Sequence, residues 1–264
     1  MKTVFGPIDS WRLGKTLGVD MVSSDRRYCS FDCTYCPHSK HTNGIARRRW
    51  FVGMSAVQAL LEQVEPGQAD CITFTGTGEP TLASNLGEAI DLTKSLLRLP
   101  VTVLTNSSLI PRDDVRAELA KADTVVAKLD APDEDLFQAI NRPFVRYSQA
   151  EIVEGLREFR RSFTGKLVLQ MTFVEMNKPV AYKMAALAHK LSPDEVQLNT
   201  PWPCSTEPLM AAEMEKVVEE FVGLNVISVH GKQPTRERSL EREDLEPVGA
   251  NTEVMLMAFA GSPR

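Results

Sequence analysis

Six times along this chain a short, β-branched apolar run is followed by an amphipathic stretch of helical period, and no other feature limits the fold as much. The runs are LGVDMV (17–22), CITF (71–74), VTVL (101–104), TVVAKL (124–129), LVLQMTFV (167–174) and EVQL (195–198). The helical segments between and after them include NLGEAIDLTKSLL, SQAEIVEGLREFRRSF, VAYKMAALAHKL and AAEMEKVVEEFV, and a last run, NVISV, starts at Asn225. Parallel neighbours need a helical crossover, so strand then helix, repeated, predicts an α/β fold built on a parallel sheet. A chain of 264 residues, 43% of them hydrophobic, can bury one full core. Residues 1–230 are expected as a single domain, and 231–264, charged and then briefly apolar, as an arm closing on it.

Polar or glycine-rich residues succeed five of the six runs: a cysteine loop after the first, TGTGEP after the second, TNSS after the third, DAPDE after the fourth and NTPWP after the sixth. Taken singly, each motif is ordinary turn chemistry. Together they stand at the C-terminal ends of parallel strands, where barrels and open α/β sheets both place their sites. They are therefore expected to face one cavity.

The cysteine loop, YCSFDCTYCPH, puts Cys29, Cys33 and Cys36 within eight residues and supplies no fourth thiol nearby. Zinc in a structural site takes four protein ligands, and His38 or His41 could complete such a set. An iron-sulfur cluster usually takes four thiolates, so three leave one iron with an open position. Cys71 starts a strand and reads as a buried apolar thiol, whereas Cys204 stands in a loop at the expected mouth.

The spacing Cys29-x-x-x-Cys33-x-x-Cys36 resembles the signature of the radical S-adenosylmethionine (SAM) superfamily. Tyr35 is similar to the aromatic residue that the family sets beside the adenine, and Thr77-Gly78-Glu79-Pro80 to its Gly-Gly-Glu-Pro motif, which meets the SAM amino group. The longer pattern, from FGPIDSWRLGKTLGVD through LDAPDEDLFQAINRP to VQLNTPWP, looks like small stand-alone iron-sulfur oxidoreductases related to the wyosine tRNA-base synthases. The resemblance implies a partial (β/α)6 barrel of the TIM type and a four-iron, four-sulfur cluster on the three cysteines, with SAM as its fourth ligand. It also implies reductive cleavage to a 5'-deoxyadenosyl radical, hydrogen abstraction from a substrate, and a low-potential electron donor such as flavodoxin or ferredoxin. Asn106, Asp130 and Asn199, at strand ends, are the remaining candidate SAM contacts.

Strand alternation puts Lys128 on the same face as Asp130 near the mouth, which makes Lys128 the candidate catalytic residue. A clamp on the SAM carboxylate, a partner for Asp130 and a Schiff base with a carbonyl substrate all suit it. The last belongs to a wyosine-type reaction on a tRNA base. Arg47, Arg48 and Arg49, followed by Trp50 and Phe51, form one basic-aromatic patch, read as a solvated loop or a grip on RNA. The net charge of -5 disfavours nucleic acid as a partner. No apolar run is long enough to span a bilayer and the N-terminus lacks a signal peptide's apolar core, so a cytoplasmic enzyme is expected.

Overall fold

A computed structural model describes residues 3–10, 12–24, 26–37, 42–201 and 206–231. The apolar runs lie side by side in one eight-stranded sheet, with strands numbered in chain order. It runs β1 (Val4–Ser10), β2 (Gly14–Val19), β5 (Cys71–Phe74), β6 (Val101–Thr105), β7 (Thr124–Lys128), β8 (Lys166–Thr172), β9 (Glu195–Asn199) and β10 (Val226–Ser228). From β2 to β10 every pairing is parallel, and β1 alone runs antiparallel, against β2. The sheet does not close, since β1 and β10 form its two ends. A separate parallel pair, β3 (Arg27–Cys29) and β4 (Thr42–Gly44), flanks the cysteine loop.

Helices α1 (Met54–Leu61), α2 (Leu86–Leu97), α3 (Asp113–Leu119), α4 (Glu134–Asn141), α5 (Gln149–Ser162), α6 (Ala181–Leu191) and α7 (Ala211–Glu219) supply the crossovers. Their starts follow local chemistry. Asp133 accepts from Leu136 N–H at the head of α4, and Ser148 and Glu151 form a reciprocal capping box on α5. The expected α/β partial barrel is what forms.

Two differences concern strands. The run expected at 17–22 ends at Val19, because the Asp20 carboxylate takes the Val22 N–H and turns the chain out of the ladder. The strands β1, β3 and β4 were not legible as apolar runs. In VFGPIDS a Gly-Pro pair interrupts the alternation, and each strand of the small pair is three residues long.

Alternation divides each strand between two faces. Val19, Phe74, Val103, Val125, Leu169 and Leu198 share one face and join the helices in the main core. The opposite face is polar, with Thr16, Thr73, Thr102, Lys128, Gln170 and Gln197 on it. The Thr16 and Thr73 hydroxyls there lie 2.7 Å apart. At the β1 end this interior is filled instead by Phe5 and Ile8, packed with Leu104.

Candidate active site

The loop after β2, the loop after β5 and the cysteine loop are tied together by two side chains of opposite charge. The buried Asp20 carboxylate accepts from Thr77 N–H at 3.0 Å and Thr77 Oγ1 at 2.9 Å through one oxygen, and from Val22 N–H through the other. Burial pushes its pKa up, opposed by those same bonds. Arg27 donates through Nε to the Thr77 carbonyl at 2.7 Å and through Nη2 to Cys36 Sγ at 3.1 Å. Thr77, expected as a SAM contact, thus has its N–H, hydroxyl and carbonyl bonded within the protein.

Gly78 is demanded by a crossing of main chains. A Cβ there would lie 1.8 Å from the Tyr28 carbonyl oxygen, the atom that also accepts from Glu79 N–H at 3.3 Å. Glu79 is buried, and its Oε1 accepts from Thr81 N–H (3.0 Å), Thr81 Oγ1 (2.6 Å) and Thr105 Oγ1 (2.7 Å). Its Oε2 accepts from Asn106 N–H at 2.6 Å. Burial raises the Glu79 pKa against these four donors.

Each cysteine of the triplet meets a different side-chain donor. Asn106 Nδ2 lies 3.7 Å from Cys29 Sγ and bonds Ser30 Oγ at 2.9 Å. Asn141 Nδ2 lies 3.4 Å from Cys33 Sγ, and Arg27 serves Cys36. Burial pushes the Cys29 thiol up to about 12 and the Cys33 thiol up to about 11. Positive charge that arrives with a ligand offsets this burial, and three N–H donors aimed at three sulfurs suit metal-bound thiolates. Among the described residues no three His, Cys, Asp or Glu side chains converge to hold a single ion, an arrangement that three irons with one thiolate each do not need.

Lys128, Tyr35 and Asp130 form a string beside Cys33. Lys128 Nζ donates to Tyr35 Oη at 2.7 Å and lies 4.5 Å from the ring centroid, and Tyr35 Oη donates to Asp130 Oδ2. That oxygen also accepts from Asn141 Nδ2 at 2.9 Å, while Oδ1 accepts from Thr172 N–H at 2.8 Å. Lys128 Nζ stands 3.8 Å from the Asp130 carboxylate, so the shared face expected from alternation is present. Burial first, and then the Asp130 charge, hold the Tyr35 phenol well above its ordinary pKa. A small cavity here is lined by Phe31, Asn106, Lys128, Asp130, Asn141 and Gln149. Asn199 is half-buried at the end of β9, where its carbonyl accepts from Phe173 N–H at 2.8 Å.

The structure therefore brings Cys29, Cys33, Cys36, Tyr35, Thr77, Gly78, Glu79, Asn106, Lys128 and Asp130 to one end of the sheet. The basic patch is divided. Arg48 turns inward, donating to the Thr81 and Ala83 carbonyls at 2.8 Å each and pairing with Asp114 and Glu118, whereas Arg49 lies over the Tyr28 and Phe51 rings. Sequence reasoning missed Asp20, Arg27 and Asn141. His38, His41, Cys204 and the arm beyond 231 lie outside the described residues. No helix among the described residues is long and apolar enough to cross a membrane.

A model of the radical SAM superfamily matches residues 25–178, the span that holds every residue of this site but Asp20 and Asn199. The chain belongs to the radical SAM superfamily. It is an enzyme of the radical SAM class. The UPF0026 protein slr1464 of Synechocystis sp. is 37% identical over 199 residues, 75% of each chain. The UPF0026 protein MJ1312 of Methanocaldococcus jannaschii is 31% identical over 246 residues, covering 88% of this chain and 76% of that one. Among solved structures, Streptococcus suis SuiB bound to S-adenosylmethionine aligns with a TM-score of 0.61 at 15% identity, over 79% of this chain and 50% of that one. Native anSMEcpe with bound AdoMet aligns with a TM-score of 0.61 at 14% identity, over 80% and 63%. This radical SAM chain thus spans half to two thirds of those proteins, and at such identities the likeness is one of fold.

Proposed function

We propose that Cys29, Cys33 and Cys36 hold a four-iron, four-sulfur cluster whose open iron takes SAM, and that the protein abstracts hydrogen from a substrate in the barrel interior. The observation that carries this reading is the set of three N–H donors, Arg27, Asn106 and Asn141, one to each sulfur. When bound, the cluster supplies the electron that splits SAM into methionine and a 5'-deoxyadenosyl radical.

The chain's own residues position and shield. Arg27, Asn106 and Asn141 orient the thiolates and lower the negative charge on them. Glu79 Oε2, with one donor among the described residues, retains a lone pair for the SAM ammonium, and Tyr35 lies ready for the adenine side. Lys128 holds the Tyr35 hydroxyl toward Asp130, and its ammonium is a cation available to the SAM carboxylate. A low-potential donor such as flavodoxin or ferredoxin fits this scheme.

The test is anaerobic reconstitution with iron and sulfide, followed by metal and sulfide counts, a visible spectrum and 5'-deoxyadenosine formation under dithionite. Wild-type protein is expected to hold about four irons per chain and to form 5'-deoxyadenosine slowly without substrate. Alanine at any of the three cysteines removes both. One zinc and no sulfide would overturn the reading.

A further inference from the structure

Past the cysteine site, the polar face of the sheet carries three side-chain atoms left without a partner among the described residues. Among the described residues, Gln170 Nε2, Thr172 Oγ1 and Gln197 Oε1 are buried without a hydrogen-bond partner. Their residues are 6%, 2% and 1% exposed. Buried polar groups are nearly always paired, so three together on two adjacent strands call for a cause.

Their positions supply one. Gln170 on β8 is in register with Lys128 on β7 on one side and with Gln197 on β9 on the other, and Thr172 is in register with Asn199. The three atoms therefore continue the row that begins at the Lys128, Tyr35 and Asp130 string. The orientation of the Gln197 amide is settled by its neighbour. Its Nε2 donates to the Glu195 carboxylate at 2.9 Å, and that carboxylate, paired with Lys166 at 2.8 Å, can only accept. Gln197 Oε1 is thus an acceptor turned away from Glu195, with an amide donor beside it on Gln170 and a hydroxyl one step along on Thr172.

The charges in this row are already matched, Lys166 by Glu195 and Lys128 by Tyr35 and Asp130. What is left over is neutral, one donor next to one acceptor. Strands about 4.8 Å apart let two side-chain ends converge on adjacent ligand atoms.

We propose that Gln170, Gln197 and Thr172 form a substrate subsite that reads a neutral amide edge, a carbonyl oxygen beside an N–H, as a carboxamide or a lactam ring carries it. The ligand carbonyl accepts from Gln170 Nε2, the ligand N–H donates to Gln197 Oε1, and the Thr172 hydroxyl adds a third bond. The assignment rests on the proposed radical SAM function, in which the interior of the sheet receives the substrate.

Gln170→Leu and Thr172→Val delete the unpartnered atoms at nearly constant volume. Were the polar groups structural, both variants would melt lower. Held for a ligand, they are a standing cost, and each variant is expected to melt higher by about 2 to 4 °C in the ligand-free protein. Binding is read by saturation-transfer NMR on anaerobically reconstituted protein, with benzamide as probe and benzoate as its charged counterpart. Benzamide is expected to bind wild type, to lose fivefold or more of its signal in Gln170→Leu, Thr172→Val and Gln197→Met, and to outbind benzoate. Lower melting of the first two variants overturns the proposal. So does benzamide binding that is absent in wild type or equal in the variants, and so does benzoate binding as well as benzamide. Cluster content and 5'-deoxyadenosine formation are measured on the same samples. A failure of the radical SAM reading registers there, and a failure of the amide subsite registers in melting and binding.

Discussion

Glu79 joins two segments with one carboxylate. Thr81 belongs to the short turn after β5, Thr105 ends β6, and Asn106 carries the donor to Cys29, so the four bonds to Glu79 link the loop after β5 to the cysteine site. Its resemblance to the family's glutamate suggested a ligand contact, but buried geometry adds a structural duty that no spacing reveals. Glu79→Ala strands four donors at once in a buried site. The expected cost is about 2 to 4 kcal/mol, read by urea denaturation of the apo-protein, together with weaker SAM binding in calorimetry. Wild-type stability with only the SAM affinity lowered would mean that the carboxylate serves the ligand alone. The neighbouring donors were hidden for a related reason. Arg27 reaches a sulfur nine positions on and Asn141 one that is 108 positions back, and such pairing appears only once the chain has folded.

At the scale of elements, alternate strands are locked at their N-terminal ends by one device. Asp70, Asp123 and Asp194 each stand immediately before a strand, β5, β7 and β9, and each accepts from the start of the neighbouring strand. Asp70 takes Lys15 N–H at 3.0 Å, Asp123 takes Val101 N–H at 2.8 Å, and Asp194 takes Leu167 N–H at 2.8 Å. Their own N–H groups donate back to the carbonyls of the same three residues. The side chain thus extends the ladder by one rung and sets register where the site is farthest away. Burial pushes the Asp123 pKa up, yet the bonds from Lys94 at 2.7 Å and Val101 outweigh it and the net shift is downward. A carboxylate with a lowered folded pKa contributes stability that is complete above the unfolded value, near 3.9, and is lost as pH falls through the folded value. Asp123→Ala is therefore expected to cost about 1 kcal/mol at pH 7, with the exposed Lys94 pair adding little. The difference between variant and wild type should shrink toward zero at a pH below the folded value. A gap that persists at that pH in thermal melts would assign the loss to something other than the carboxylate. In the sequence these residues read AD-CITF, AD-TVVAKL and PD-EVQL, plain strand-entry signals. The strands were legible because period-2 burial writes itself into composition, but the clamp was not, since its partner lies on a neighbour.

Across the described residues, the sheet separates an apolar face that helices cover from a polar face that carries part of the candidate site. The α/β order was readable because covering helices impose their period on the sequence. How an open sheet limits access to its interior was not readable, because one described element that does so, β1, lies outside the strand and helix repeat. Its Phe5 ring presses onto Gly18 of β2, where an added Cβ would stand 2.1 to 2.6 Å from ring carbons, and Phe5 and Ile8 reach Leu104 on β6. That packing seals one flank of the polar interior and works only with glycine beneath the ring. Gly18→Ala should force the ring from its place, an overpacking cost of about 1 to 3 kcal/mol. Phe5→Ala should leave a cavity and cost about 3 to 5 kcal/mol. The two share one volume, so the double variant, in which the new methyl stands in the space the ring vacated, should cost less than the sum by at least about 1 kcal/mol. Urea denaturation of the four proteins measures this directly. Strict additivity would mean that Phe5 is not seated on Gly18, and that the flank of the interior is sealed by other contacts.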